Sequence, residues 1–210
     1  MIIAVDGPAA SGKGTIARAL AAHYRLPHLD TGLLYRAVAL NLERLELDPE
    51  READGVAACD FADDLLGDPA LRSDTIGKLA SVVSAHPLVR AALMQRQKRF
   101  ANQPGGAVLD GRDIGTVIAP EAEVKLFVRA TPNIRARRRH AELRARGVEV
   151  SIDRVLADIR ARDQRDSSRA TAPLVMAPDA ALLDTSILSI EAAVQRAIAI
   201  VEEKRARRQG

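Results

Sequence analysis

The fold class is decided by the first fifteen residues, Met1-Ile-Ile-Ala-Val-Asp-Gly-Pro-Ala-Ala-Ser-Gly-Lys-Gly-Thr15. The apolar run Ile2–Val5 predicts a short buried strand of a parallel sheet. It leads directly into Gly7-x-x-x-x-Gly12-Lys13, and a helical pattern begins after the lysine. A glycine-rich loop between a strand and a helix is the arrangement in which backbone N–H groups surround a phosphate. The sequence therefore predicts a phosphate-binding loop (P-loop) at its start.

This loop is suited to the phosphates of a nucleotide. Gly7 and Gly12 can adopt backbone angles that other residues avoid. Lys13 supplies a cation for the β- and γ-phosphates, and the following helix presents its positive dipole end. A hydroxyl usually follows the lysine, but Gly14 stands there, so Thr15 is the nearest side chain for a magnesium ion. We predict that the donor nucleotide binds at nine consecutive residues: Gly7, Pro8, Ala9, Ala10, Ser11, Gly12, Lys13, Gly14 and Thr15.

Length and composition favour one cytoplasmic domain. The chain has 210 residues, 47% of them hydrophobic, which is enough for a proper core. Cys59 is the only cysteine, which excludes an internal disulfide and a cysteine-based metal site. No apolar run reaches the length of a membrane span, and no charged-then-apolar leader precedes the first strand. We therefore expect a cytoplasmic protein without a membrane partner. A monomer is a separate expectation.

Apolar runs alternate with helical patterns along the chain. Five segments are typical of parallel strands: Ile2–Val5, a short one ending at Leu29, Ala107–Leu109, Val124–Val128 and Ala181–Leu183. Four of them are followed by an acid: Asp6, Asp30, Asp110 and Asp184. The carboxyl ends of parallel strands are where such sheets bind ligands. We predict a three-layer α/β P-loop fold, with a central five-stranded parallel sheet and helices on both faces.

The predicted single domain, residues 1–210, contains one insertion. Residues 45–75 carry Asp48-Pro49, Gly67-Asp68-Pro69 and many acids, a composition typical of turns. We therefore expect an insert outside the main sheet, at about residues 40–85.

A second special region is strongly basic. The formal net charge of the chain is +3, but Arg129–Arg169 alone contains twelve arginines and six acidic residues. If the helix in this region continues, Arg162, Asp166 and Arg169 lie on one of its faces. Ion pairs on an exposed helix would explain these charges equally well. The functional interpretation is a lid, at about residues 140–175, that brings arginines onto a phosphate.

Two further polar segments follow predicted strands. Asp30-Thr31-Gly32-Leu-Leu-Tyr35-Arg36 begins a helix, where Thr31 could cap the helix or present its hydroxyl to a ligand. Asp110-Gly111-Arg112-Asp113 follows a strand, so Arg112 and Asp113 would project over the same crevice as the P-loop. A simple helix cap and a salt-bridged turn are the alternatives. Arginines in several separate places suit a site that holds two phosphate-bearing substrates.

Four motifs, taken in order, resemble those of bacterial cytidylate kinases, which are P-loop nucleoside monophosphate kinases. They are Gly7-Pro-Ala-Ala-Ser-Gly-Lys-Gly-Thr15, Asp30-Thr-Gly-Leu-Leu-Tyr-Arg36, Asp110-Gly-Arg-Asp-Ile-Gly-Thr116 and Arg162-Asp-Gln-Arg-Asp-Ser-Ser-Arg-Ala-Thr-Ala-Pro-Leu174. Leu182-Leu-Asp-Thr-Ser186 also matches, and the resemblance spans nearly the whole chain. It implies transfer of the γ-phosphoryl group of ATP, with Mg²⁺, to CMP or dCMP in pyrimidine nucleotide metabolism.

The resemblance also implies roles for single residues. It places three at the cytosine ring, two at the sugar and three at the acceptor phosphate: Thr31, Arg90 and Asp113; Arg162 and Asp166; Arg36, Arg112 and Arg169. Four are expected to act on the transferred group: Lys13, Arg112, Arg165 and Arg169. Arg135, Arg138 and Arg165 are expected in the lid or on the donor side. Without the resemblance, Arg90 is interpreted as an exposed arginine on a helix.

Asp113 gives a physical reason to expect cytosine at the acceptor site. Cytosine carries an amino donor at C4 that the Asp113 carboxylate can accept, whereas uracil has a carbonyl oxygen there. A site built on hydrogen bonds rejects such an analogue strongly, so CMP is predicted over UMP.

Better-known members of the family carry a β-rich insert that helps to close over the monophosphate. Only about fifteen residues, Gly55–Pro69, are available here, so we expect a shortened monophosphate-binding insert without a three-stranded sheet.

Three other classes of function remain open at this point. Another small-molecule P-loop kinase would use UMP or a different acceptor. A nucleic-acid-binding protein is disfavoured because Arg129–Arg169 contains no Phe, Tyr or Trp on which bases could stack. A P-loop switch or regulatory ATPase is the third class, although no Asn-Lys-x-Asp guanine-reading motif is present. We therefore expect nucleotides as partners (ATP, CMP and dCMP) and no nucleic acid.

Overall fold

The computed structural model describes residues 1–209, which form five strands and eight α-helices. The strands are β1 (Ile2–Asp6), β2 (His28–Asp30), β3 (Ala107–Gly111), β4 (Val124–Arg129) and β5 (Ala181–Asp184). The helices are α1 (Lys13–Tyr24), α2 (Thr31–Arg44), α3 (Glu52–Ala57), α4 (Asp74–Val83), α5 (Pro87–Ala101), α6 (Pro132–Ala145), α7 (Ile152–Ser168) and α8 (Ile190–Gln209). Among these described helices, none is long and apolar enough to cross a membrane.

The five strands form one sheet in the order β2-β3-β1-β4-β5. β1 pairs in parallel with both β3 and β4, and β4 pairs in parallel with β5. The register places Asp6 beside Gly111 of β3 and Phe127 of β4. The predicted α/β class and all five predicted strands are confirmed. Each strand ends one or two residues later than predicted, so the four acids lie within the strands rather than after them.

The residues group into two compact units, and the larger one contains the sheet. It comprises Met1–Leu29 and the chain from Ala101 onward. Its core lies between the central strands and the apolar faces of α1 and α8. Ile16, Leu20 and Val201 are at most 2% exposed, and burial of such side chains stabilises the fold by roughly 1.5–3 kcal/mol each. This core fixes the position of α1, whose first three residues, Lys13, Gly14 and Thr15, belong to the P-loop.

The smaller unit comprises Asp30–Phe100. Within it, α2 packs on α4, and the buried side chains include Leu34, Val38 and Val83. Between α2 and β3 the described chain contains helices and short 3₁₀ turns but no strand. This agrees with the expectation that a three-stranded insert does not fit. The bounds predicted for the insert, the lid and a single domain stay predictions.

The condition for Arg162, Asp166 and Arg169 to share one helix face, that the helix continues, is not met at Arg169. The helix ends at Ser168, and Arg169 has φ −63° and ψ 140°, which is extended backbone. The chain then turns back, and the Leu174 N–H donates to the Asp166 carbonyl at 2.7 Å. Pro173 precedes this contact and cannot supply the N–H that a continuing helix needs. Arg169 therefore reaches its neighbours from the turn and not from the helix face.

Candidate functional site

The P-loop connects β1 to α1 in the larger unit. A Cβ on Gly7 would lie 2.0 Å from the Val128 carbonyl oxygen, so only glycine fits there. Gly12 has φ 91° and ψ 0°, a left-handed conformation, and is the N-cap of α1 without a side-chain cap. Lys13 is the first residue of the helix. The N–H groups of this first turn and the helix dipole therefore favour a bound anion.

Two arginines of α6 contact the carbonyl oxygens of the P-loop. Arg135 is 3% exposed, and its Nη1 donates to the Ala9 carbonyl at 3.2 Å. The same guanidinium pairs with both oxygens of Asp163, at 2.9 and 2.5 Å. Arg138 Nη1 lies 3.4 Å from the Ser11 carbonyl oxygen. The structure thus places both arginines against the P-loop backbone.

An acid lies beside the start of α1. Asp110 is 1% exposed; its Oδ1 is 2.8 Å from His28 Nε2, and its Oδ2 is 3.6 Å from where a Cβ on Gly14 would lie. Within residues 1–209 no group of three or more acidic, His or Cys side chains could hold a metal ion. Mg²⁺ is usually held by one or two carboxylates and the phosphates of its nucleotide. Asp110 and the exposed Thr15 hydroxyl fit a cation that arrives with ATP.

Asp6 connects the P-loop strand to the segment after β3. Its carboxylate accepts the N–H groups of Ile114 and Gly115, both at 2.8 Å. These residues open a π-helical turn, Ile114–Ile118, directly after Asp113. Burial raises the pKa of Asp6 to about 6, although the two backbone hydrogen bonds oppose this rise. The sequence identified Asp6 only as an acid at a strand end; its long-range partners gave no local signal.

Five predicted site residues come together in what we term the acid–arginine cluster: Arg112, Asp113, Arg162, Asp166 and Arg169. Arg112 Nε donates to Asp166 Oδ2 at 2.8 Å, and Arg162 Nε lies 4.0 Å from the same oxygen. Arg169 Nη2 is 3.6 Å from Asp113 Oδ1.

Charge balance dominates this cluster. Burial alone would raise the pKa of Asp166, but Arg112 and Arg162 outweigh burial and hold that pKa below its usual range. The Asp166 carboxylate therefore stays ionised among three arginines. Arg165, one helical position earlier, is exposed on α7. The cluster thus has three guanidinium groups against two carboxylates, and this excess of positive charge favours a further anion.

In the smaller unit, Arg36 is held by the backbone around α4. Its Nη1 donates to the carbonyls of Leu71 at 2.6 Å and Ser73 at 3.1 Å. A Cβ on Gly77 would lie 2.7 Å from Arg36 Nη2, so this glycine makes room for the guanidinium. These carbonyl contacts fix the orientation of the Arg36 guanidinium.

The interpretation of Arg90 as an exposed arginine is wrong. The residue is 5% exposed, its guanidinium lies 5.5 Å from the centre of the Tyr35 ring, and its Nη1 donates to the Ser84 carbonyl at 3.2 Å. An arginine on a helix is ordinarily exposed, so the local pattern could not reveal this burial. Thr31, at 4% exposure, begins α2. It is not the cap, because the Asp30 carboxylate accepts the Gly32 N–H at 3.0 Å.

Comparison with known proteins gives the family of the chain. The family model described as cytidylate kinase matches residues 3–203. A cytidylate kinase from Xanthobacter autotrophicus is 62% identical over 99% of this chain and 100% of its own length. A cytidylate kinase from Bradyrhizobium sp. is 59% identical over 100% and 99% of the two chains. The match thus includes both units.

The fold also occurs in a distant solved structure. The crystal structure of an uncharacterized protein from Eubacterium ventriosum superimposes with a TM-score of 0.55 at 17% identity, over 97% of this chain and 98% of that one. At that identity the likeness concerns the fold alone. From the family match and the relatives, the chain belongs to the cytidylate kinase family.

Proposed function

We infer that this protein transfers the γ-phosphoryl group of ATP to CMP or dCMP, giving ADP and CDP or dCDP. One observation carries this conclusion: the family model and relatives named cytidylate kinase match nearly the whole chain, the latter at about 60% identity. The protein is accordingly an enzyme, a phosphotransferase. A kinase that prefers UMP is not favoured by any of these matches.

The P-loop would hold the donor. Its N–H groups and the Lys13 ammonium would contact the β- and γ-phosphates, because the first turn of α1 has no side-chain cap. Mg²⁺, when bound with ATP, neutralises charge on these phosphates. Asp110 and Thr15 would face that cation from the protein side. Catalysis in such a site consists of positioning and electrostatic stabilisation.

The acid–arginine cluster would hold the acceptor. An ionised phosphate oxygen of CMP attacks the γ-phosphorus in line, and the bond from that phosphorus to the β–γ bridging oxygen breaks. No general base is needed, because the attacking oxygen carries no proton. As the resemblance implies, Arg36, Arg112 and Arg169 would grip the acceptor phosphate. These guanidinium groups are already oriented by Asp166, Asp113 and backbone carbonyls.

Recognition of the base and sugar is proposed for the remaining residues. Asp113 would accept the cytosine amino group, with Thr31 and Arg90 also at the ring, and Arg162 and Asp166 would contact the sugar. Asp113 is 5% exposed, so the carbonyl oxygen of uracil would place one acceptor against another in a site with little water. Arg165 would act on the transferred phosphoryl group from the lid, together with Lys13, Arg112 and Arg169.

We also propose that the protein acts as a cytoplasmic monomer on small nucleotides, without a nucleic-acid or membrane partner. The basic stretch Arg129–Arg169 supports the lack of a nucleic-acid partner, because many of its charges are internally paired. Arg135 with Asp163 and Arg139 with Glu142 are examples.

The test is an assay of ADP release with MgATP and, separately, CMP, dCMP, UMP and AMP. We expect fast release with CMP and dCMP and slow release with UMP and AMP. Comparable rates with UMP would refute the base-reading roles but keep the kinase. Equal ADP release with and without any acceptor would identify an ATPase instead.

A further inference from the structure

Thr185 has no role in the mechanism above. It lies where three segments meet. It follows β5 directly and is 2% exposed. Its hydroxyl donates to the Ser11 carbonyl of the P-loop at 2.8 Å and accepts from Arg138 Nη1 of α6 at 3.0 Å. Its backbone N–H donates to the Arg129 carbonyl at the end of β4, at 2.8 Å. The hydroxyl is thus fixed from two sides.

The contact with the Ser11 carbonyl determines where an N–H group points. A peptide bond is planar and trans, so its C=O and the N–H of the next residue point in opposite directions. Holding the Ser11 oxygen toward Thr185 therefore directs the Gly12 N–H the opposite way. Gly12 is the uncapped N-cap of α1, at φ 91°, so no regular helix geometry holds this peptide by itself.

The neighbouring peptide is held in the same manner. Arg135 Nη1 donates to the Ala9 carbonyl at 3.2 Å, which directs the Ala10 N–H away from α6. Ala10 has φ 57°, which is unfavourable for a residue with a Cβ. A residue keeps such a conformation only where its surroundings impose it. Two carbonyls of the loop are thus held from outside. Arg135 holds that of Ala9, and Thr185 holds that of Ser11 at 2.8 Å, beside a longer contact of 3.4 Å from Arg138.

We propose that Thr185 is a positioning residue for the donor phosphates. Through its hydroxyl it keeps the peptide between Ser11 and Gly12 oriented for phosphate binding, and through Arg138 it links that peptide to α6. The proposal rests on the proposed function, since it names a determinant of the same ATP site. Thr185 itself does not touch the nucleotide.

The experiment compares Thr185→Val with Thr185→Ser in the full-length protein. Valine keeps the shape and removes the hydroxyl, whereas serine keeps the hydroxyl. Loss of one hydrogen bond of this kind predicts that KM for ATP rises about three- to tenfold in Thr185→Val. KM for CMP at saturating ATP should be unchanged, and Thr185→Ser should retain the wild-type KM for ATP. Calorimetric titration with ATP alone should show the same weakening.

Each outcome decides the proposal. A purely structural role would lower the unfolding temperature of Thr185→Val while leaving ATP affinity unchanged, and that result would overturn it. Equal losses for ATP and CMP would overturn it as well. If Thr185→Val does not fold, Thr185→Ala carries the same comparison. Failure of the proposed function is distinct, because the wild-type protein would then bind ATP without phosphorylating CMP.

Discussion

The P-loop and the acid–arginine cluster both bind anions in our account, but they are built in opposite ways. The P-loop uses nine consecutive residues whose main contribution is backbone N–H groups. The cluster joins Arg112 and Asp113, after β3, to residues some fifty positions later, and it uses charged side chains. The first depends on peptide orientation and the second on charge balance. Substitutions should therefore damage the two regions in different ways.

The largest effect is expected from Lys13→Ala. Lys13 is the cation of the P-loop, and the loss of one group that stabilises transferring charge costs about 10²- to 10³-fold in kcat. The fold should remain, because the core side chains of α1 are untouched. Turnover with MgATP and CMP measures the loss of activity, and thermal unfolding measures whether the fold remains. Lys204→Ala, in α8, is the control and should retain full activity; near-normal turnover of Lys13→Ala would contradict the donor site.

Asp166→Asn should damage the cluster without damaging the P-loop. The Asp166 carboxylate is buried with Arg112 and Arg162, and removing one partner of a buried ion pair costs about 3–5 kcal/mol. We expect the free energy of unfolding to fall by about 3 kcal/mol and KM for CMP to rise about tenfold.

The matched control for this variant is Asp158→Asn. Asp158 lies on the same helix in a largely exposed pair with Arg154, which is worth about 0–1 kcal/mol. Chemical denaturation and initial rates check both variants. A rise of KM for ATP equal to that for CMP would show that the two regions do not act separately.

Asp113→Asn should reduce base discrimination more than it reduces the rate. An amide presents a donor where the carboxylate has only acceptors, and one such contact is worth about 1–3 kcal/mol of discrimination. The ratio of kcat/KM for CMP to that for UMP should therefore fall about tenfold. Retention of the wild-type ratio would show that Asp113 does not read the base.

The smallest effect concerns Asp6, which joins the two regions. Its folded pKa, about 6, lies above its ordinary value of 3.8, so protonation stabilises the folded state. This contribution is fully present below pH 3.8 and is lost as the pH rises through about 6. Between pH 7 and pH 5 the wild type should gain about 1 kcal/mol of unfolding free energy relative to Asp6→Asn. Chemical denaturation at pH 7 and at pH 5 measures this gain. Free energies of unfolding that change equally with pH in the wild type and in Asp6→Asn would contradict it.

The same contrast explains how much could be predicted from the sequence. The P-loop and the five strands were predictable, because a glycine spacing and short apolar runs are local patterns. The cluster was predicted only through four motifs taken together. Its residues meet through long-range packing, and their geometry comes from a helix end at Ser168 that helical spacing did not indicate.

Residues that act through distant backbone groups could not be predicted. Asp6 holds two N–H groups more than a hundred positions away, and Thr185 holds a carbonyl 174 positions away. Arg90 is buried against Tyr35, although its helix gave no sign of burial. Thr185 lies in the matching segment Leu182-Leu-Asp-Thr-Ser186, but that match does not show which distant peptide the side chain orients.

The most direct test of the central claim follows the label from γ-labelled ATP in the presence of CMP. The account predicts that the label appears in CDP, in equal amount to the ADP formed, and that Lys13→Ala abolishes most of this transfer. Recovery of the label as inorganic phosphate, with CMP unchanged, would contradict the account, because the two regions would then not hold donor and acceptor for the same reaction.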